Sequence, residues 1–159
     1  MKKIVKHIPL IICILWMGFI FYNSSLNGEE SNGTSYKVVN KITNNNYTYL
    51  GSSKNNNTKS VQNFNVFIRK NAHAFEFGVL SILLALTFFT YNRKGRSVVS
   101  TILLIVLIYA VSDEYHQLYV PGRGSNVKDV MIDFLGGIIG LLLFYISYYM
   151  VYDKLRKRS

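Results

Sequence analysis

Residues 69–90 read RKNAHAFEFGVLSILLALTFFT, a mixed-charge string that runs without a break into an apolar stretch. From Ala72 to Thr90 the stretch is close to the ~20 residues that an α-helix needs to cross the hydrocarbon of a bilayer. Three further blocks have the same character: Ile4–Tyr22, Val98–Tyr119 and Val130–Val151. Their apolar residues are massed rather than spaced along one helical face, which is the pattern of membrane spans. The predicted fold class is all-α, an integral membrane bundle of four transmembrane helices.

The chain has 159 residues, half of them hydrophobic, and a formal net charge of +10. An excess of this size would suit nucleic acid, but the lysines and arginines sit in the segments that flank the apolar blocks. That placement is the orientation bias of membrane proteins, so no nucleic-acid partner is expected. The single cysteine, Cys13, can close no intrachain disulfide and offers no zinc-ligand spacing. It reads as a small apolar residue of the first block. Lys2, Lys3 and Lys6 ahead of that block raise the question of a secretory signal peptide. The block exceeds the ~7–15 apolar residues of a signal and shows no small-x-small pattern before Ser24, so an uncleaved first span is expected.

The N-terminal lysines, the Arg93-Lys94-x-Arg96 connection and the Lys154–Arg158 tail are dense in positive charge. The positive-inside rule assigns all three segments, and with them both termini, to the cytoplasm. The chain then divides into residues 1–22, the first transmembrane helix; 23–70, a polar extracytoplasmic segment; and 71–159, a three-helix core with a basic cytoplasmic tail. From Asn23 to about Lys59 the outer segment is rich in Asn, Ser and Thr. It is too poor in apolar residues to build a core, and partial disorder is expected. Val61–Ile68, which mixes aromatic and aliphatic residues with polar ones, is expected to lie along the outer interface. The third helix should stop near Tyr119, because Pro121 pushes the residue before it toward extended backbone and Pro121-Gly122 suits the centre of a type II turn. Gly136, Gly137 and Gly140 form a small-residue strip that lets another helix approach closely.

Antiparallel spans bring the polar margins to one level. His73 and Glu76, three apart, share a face at the outer end of the second span, with Lys70 one turn earlier. Asp113, Glu114, His116 and Gln117 end the third span; Asp129 and Asp133, four apart, open the fourth, with Arg123 in the turn between. Ionisable groups are expensive in this position and mark functional sites by default. A clamp of ion pairs needs two or three charges, fewer than are gathered here. The candidates for proton transfer are His73, Glu76, Asp113, Glu114 and His116. Lys70, Gln117, Arg123, Asp129 and Asp133 are the candidates for holding a ligand, with Lys70 and Arg123 as anion grips. A His–carboxylate mixture is ordinary metal chemistry, but no spacing here matches a zinc signature, and no metal ligands are assigned.

With these residues in place the chain resembles the VanZ-like family, named after a small membrane protein associated with teicoplanin resistance. The resemblance rests on Arg69-Lys70-x-Ala72-His73-x-x-Glu76-Phe77, Ser112-Asp113-Glu114-x-His116-Gln117, Pro121-Gly122-Arg123 and Asp129-x-x-x-Asp133-x-x-Gly136. The first span and its Asn23-Ser24-Ser25 exit resemble the family more loosely. The chain departs from the family at Asp133, where Asn is common, and in its long Asn-rich segment. The resemblance implies a multi-pass protein of the bacterial plasma membrane linked to reduced susceptibility to lipid-bearing glycopeptides such as teicoplanin. It carries over the matched residues as motif positions and assigns them no reaction, and it leaves any cofactor open. Membrane lipids are the expected partners, with a cell-wall precursor lipid or a glycopeptide as the ligand of an outer-face polar pocket. The alternative is a membrane-embedded enzyme acting on a lipid or lipid-linked phosphate. A transporter subunit is the poorer reading, because no charge lies near mid-membrane and no internal repeat is visible.

Overall fold

The computed structural model describes residues 6–26, 37 and 56–156, with the side chains of 56–62 and 152–156 outside the description. Its architecture is helical throughout: α1 (Ile8–Ser25), α2 (Asn56–Thr90), α3 (Arg96–Gln117) and α4 (Val127–Arg156). All four are long and apolar enough to cross a membrane. The expectation of partial disorder from Asn23 to about Lys59 falls mostly on residues outside those described.

Each helix begins and ends for a local reason. Pro9 lies in the first turn of α1, where its missing N–H removes no intrahelical bond. At the end of α2, Asn92 takes the left-handed conformation (φ 58°) that asparagine tolerates. The Arg93 N–H then reaches back to the Phe88 carbonyl (2.9 Å) and that of Asn92 to Phe89 (3.0 Å), the paired bonds of a Schellman ending. After α3, Gly122 has φ 73° and the Arg123 N–H donates to the Val120 carbonyl (3.1 Å), in keeping with the expected type II turn.

One boundary differs from the sequence reading. The second helix does not begin near Ala72 but is continuous from Asn56, so Val61–Ile68 extends it rather than forming a separate interfacial segment. Helix geometry at 1.5 Å per residue carries α2 about 20 Å beyond Arg69.

Burial alone cannot hold such a bundle together, since lipid tails are as apolar as leucine; close backbone packing can. The most extensive contact is between α2 and α4. A Cβ on Gly136 would lie 2.0 Å from the Ala74 carbonyl oxygen, and one on Gly140 would lie 2.2 Å from that of Gly78. Gly137 faces the third helix instead, where a Cβ would meet Val106 Cγ1 at 2.5 Å. The Ser81 hydroxyl donates to the Gly137 carbonyl (2.7 Å), a bond between α2 and α4 inside the bilayer. Phe77, Leu80, Ile102, Val106 and Ile20 fill the space left between the helices.

The two ends of the bundle differ. One carries Lys6, Lys94 and a cluster of Phe89, Phe144, Tyr145 and Tyr148, with the Lys94 ammonium over the Phe89 and Tyr148 rings. The other, the polar end, gathers the end of α1, the 69–76 stretch of α2, the end of α3 and the start of α4.

Candidate functional site

The polar end is built around Asp113. Helical spacing puts Gln117 one turn beyond it, and the Gln117 amide donates to Asp113 Oδ2 (2.9 Å). Ser24 of α1 donates to the same oxygen (2.7 Å). Next to it on α1, Asn23 donates from its amide to Glu76 Oε1 (2.6 Å), and the Trp16 indole donates to the Glu76 backbone carbonyl (2.9 Å). The type II turn sends Arg123 back over the bundle, where Nη2 donates to the Asn23 carbonyl (3.0 Å). Glu114 accepts from the Asn126 N–H (3.0 Å), which ties the loop down just before α4 begins. Lys70 and Asp129 form an ion pair that joins α2 to α4.

A cavity of about 30 Å³ opens between these groups. Lys70, Arg69 and His73 line it from α2, Glu114 and Gln117 from α3, Arg123 from the turn, and Asp129 and Asp133 from α4. It has room for an ion and a water or two, or for one charged group of a larger molecule. Around it stand the carboxyl groups of Glu76, Asp113, Glu114, Asp129 and Asp133 and the cationic side chains of Arg69, Lys70 and Arg123. Burial and the neighbouring Arg69 pull the Arg123 guanidinium below its ordinary range, against the opposing pull of Asp113 and Glu114. Several polar atoms stay without an aligned hydrogen bond in the interior: Asp113 Oδ1, His73 Nδ1, Glu76 Oε2 and Arg123 Nε. The His73 and Glu76 atoms face each other at 3.4 Å, an ion pair only when the imidazole is protonated. Such groups are costly to bury and call for a partner.

Beside the cavity, an apolar groove of about 250 Å³ follows the same two helices, lined by Ala74, Phe75, Gly78 and Val79 of α2 and Gly136, Ile139 and Gly140 of α4. It runs along the line where the glycines bring α2 and α4 into backbone contact.

The helix ends and the turn thus reproduce, in order, the polar strings from Arg69 to Asp133. The chain also matches the family described as VanZ/LLP1 over residues 9–148, well beyond half its length. It belongs to the VanZ/LLP1 family. No curated protein and no solved structure matches it.

Most of the residues singled out from the VanZ-type strings meet at one place. Lys70, His73, Glu114, Gln117, Arg123, Asp129 and Asp133 line the cavity, and Asp113 and Glu76 lie against it, held by Gln117 and Asn23. His116 stands apart from that lining. It stacks on Phe21 (4.4 Å between ring centroids) and its Nε2 lies 3.1 Å from the Ser25 hydroxyl. Three residues on a helix advance about 60° short of a full turn, enough to rotate His116 away from Asp113 toward α1. Asn23 and Ser24, read from sequence only as the exit of the first span, hold Glu76 and Asp113 directly. The signal was present in two adjacent polar residues at the level of the other polar margins. Their partners lie 53 and 89 residues away, beyond any local pattern.

Proposed function

We propose that this VanZ-family protein works in the bacterial plasma membrane with its polar end outward. Its pocket there binds one anionic group of an envelope lipid or lipid-bearing glycopeptide, lowering sensitivity to teicoplanin-like drugs. The observation that carries this reading is the pairing of a small cavity lined by Arg69, Lys70 and Arg123 with an apolar groove on the same helices. An amphiphile has both parts: a charged group that a guanidinium or ammonium can hold, and a chain that an apolar groove can take up. The cavity is too small for a whole head group, so only a phosphate or carboxylate enters and the remainder stays at the surface.

The test is Lys70→Gln, which removes one cation from a half-buried position while the glycine packing stays intact. Losing one charge-assisted bond to an anion should weaken lipid retention about tenfold or more, read by native mass spectrometry of the detergent-purified protein. In a host where the parent raises teicoplanin tolerance, the variant should lose much of that tolerance at an unchanged protein level. Unaltered lipid retention and tolerance would remove the reading.

Orientation has its own test. With Cys13 replaced by Ser, an impermeant thiol reagent applied from outside should label a cysteine at Gly124 and leave one at Lys94 unlabelled. Gly124 is exposed with nothing within 4 Å of an added Cβ, so the probe itself is tolerated. Labelling at Lys94 would invert the topology and turn the pocket to the cytoplasm.

A second reading has one observation in its favour. His73 and Glu76, 3.4 Å apart beside the guanidinium of Arg123, form a pair suited to moving a proton next to a bound phosphate. Turnover of a lipid-linked phosphate by the purified protein, lost in His73→Gln, would favour this enzymatic reading over binding alone.

A further inference from the structure

We infer that His73, Asp113 and Asp133 form a binding site for one divalent first-row cation, Zn²⁺ or Mn²⁺, at the inner wall of the polar pocket. The three come from α2, α3 and α4, and one ligand atom from each lies within 4.8 Å of the other two. Ligand atoms that share a cation at about 2.1 Å stand roughly 3 to 4 Å apart, so small side-chain rotations close the set. One imidazole and two carboxylates leave further coordination positions for water or for an anion in the cavity.

One observation beyond the grouping itself points to a cation. Asp113 is 3% exposed, and its Oδ1 has no hydrogen-bond partner, although Oδ2 accepts from both Ser24 and Gln117. One oxygen is fully used and the other is held in reserve. Buried charges are stable only when paired or coordinated. Glu76 Oε2, 3.4 Å from His73 Nδ1, is placed to orient the ring as carboxylates do for metal-bound histidines. The inference goes beyond the head-group reading and does not need it, since Arg123 and Lys70 hold an anion with or without a cation.

The experiment is titration of chelator-stripped, detergent-purified full-length protein with Zn²⁺ and, separately, with Mn²⁺. One ion per chain is expected, together with a rise in melting temperature. Asp133→Asn should weaken binding about tenfold or more, whereas Lys94→Gln, at the opposite end of the bundle, should leave it unchanged. Electron paramagnetic resonance of the Mn²⁺-loaded parent should show nitrogen coupling from the His73 ring, a readout that needs no variant to fold. The inference is overturned by the absence of stoichiometric binding, by equal losses in the two variants, or by an absence of nitrogen coupling.

Discussion

Gly136→Val will leave little or no folded protein to purify. The added Cβ would sit 2.0 Å from the Ala74 carbonyl oxygen, and that oxygen belongs to the backbone of α2 rather than to a side chain that can turn aside. To admit it, α2 and α4 must separate along their whole seam, pulling Gly140 away from Gly78 and stretching the Ser81 bond to Gly137. Overpacking in well-packed cores costs ~1–3 kcal/mol when side chains can adjust. Here nothing adjusts, so a loss of about 3 kcal/mol or more is expected, a large part of the stability of a domain this size. Gly124→Ala is the control, with open space around the new methyl and an expected change within ~0.5 kcal/mol. Thermal unfolding of both variants in a mild detergent makes the comparison. A Gly136→Val protein that melts with the parent would mean that the α2–α4 seam is open enough to admit a side chain.

Arg123→Ala is expected to destabilise by about 3 kcal/mol or more, in the range for leaving buried charges without their partner. The guanidinium holds the Asn23 carbonyl from above and offsets carboxylates from two helices, Asp113 and Glu114 of α3 and Glu76 of α2. Without it those carboxylates lose an opposing charge, and the turn after α3 loses its tie to α1. Arg123→Lys should recover only part of this, because an ammonium restores the charge but not the planar fork that reaches Asn23. Denaturant unfolding in detergent at fixed lipid content reads both variants. Equal stability of Arg123→Ala and the parent would show that the groups around the pocket are neutral or hydrated, and that the arginine balances nothing.

How much of this was legible in the sequence follows from which interactions are local. The spans were visible because apolar residues come in blocks of membrane length, and the Pro121-Gly122 turn because its residue types allow few conformations. The glycine strip at 136, 137 and 140 announced close packing, although not that Gly137 turns to α3 while the other two meet α2. Helical periodicity alone paired His73 with Glu76 and Asp113 with Gln117. The start of α2 was hidden, since its first residues are polar and carry no apolar period. Also hidden was the part played by α1, whose Asn23 and Ser24 find partners on distant stretches of chain. The grouping of His73 with Asp113 and Asp133 uses one residue from each of three helices, so no spacing could encode it.

The hold on α1 has a consequence for how the molecule comes into being. Only Cys13, Ile20 and Ser24 of this helix are buried, yet it supplies Asn23, Ser24 and Trp16 to the polar end and takes a bond from the Tyr109 hydroxyl at the Met17 carbonyl. Apolar helices enter a bilayer individually and associate afterwards. Until α1 arrives, Glu76 lacks the Asn23 amide, Asp113 keeps only its Gln117 donor, and Arg123 lacks its carbonyl. Docking of the first helix therefore adds no wall to the pocket but fixes the groups that stand around it. A chain still waiting for α1 has the lining residues in reach and their geometry unset, so the last helix–helix association to be made is the one that sharpens the site.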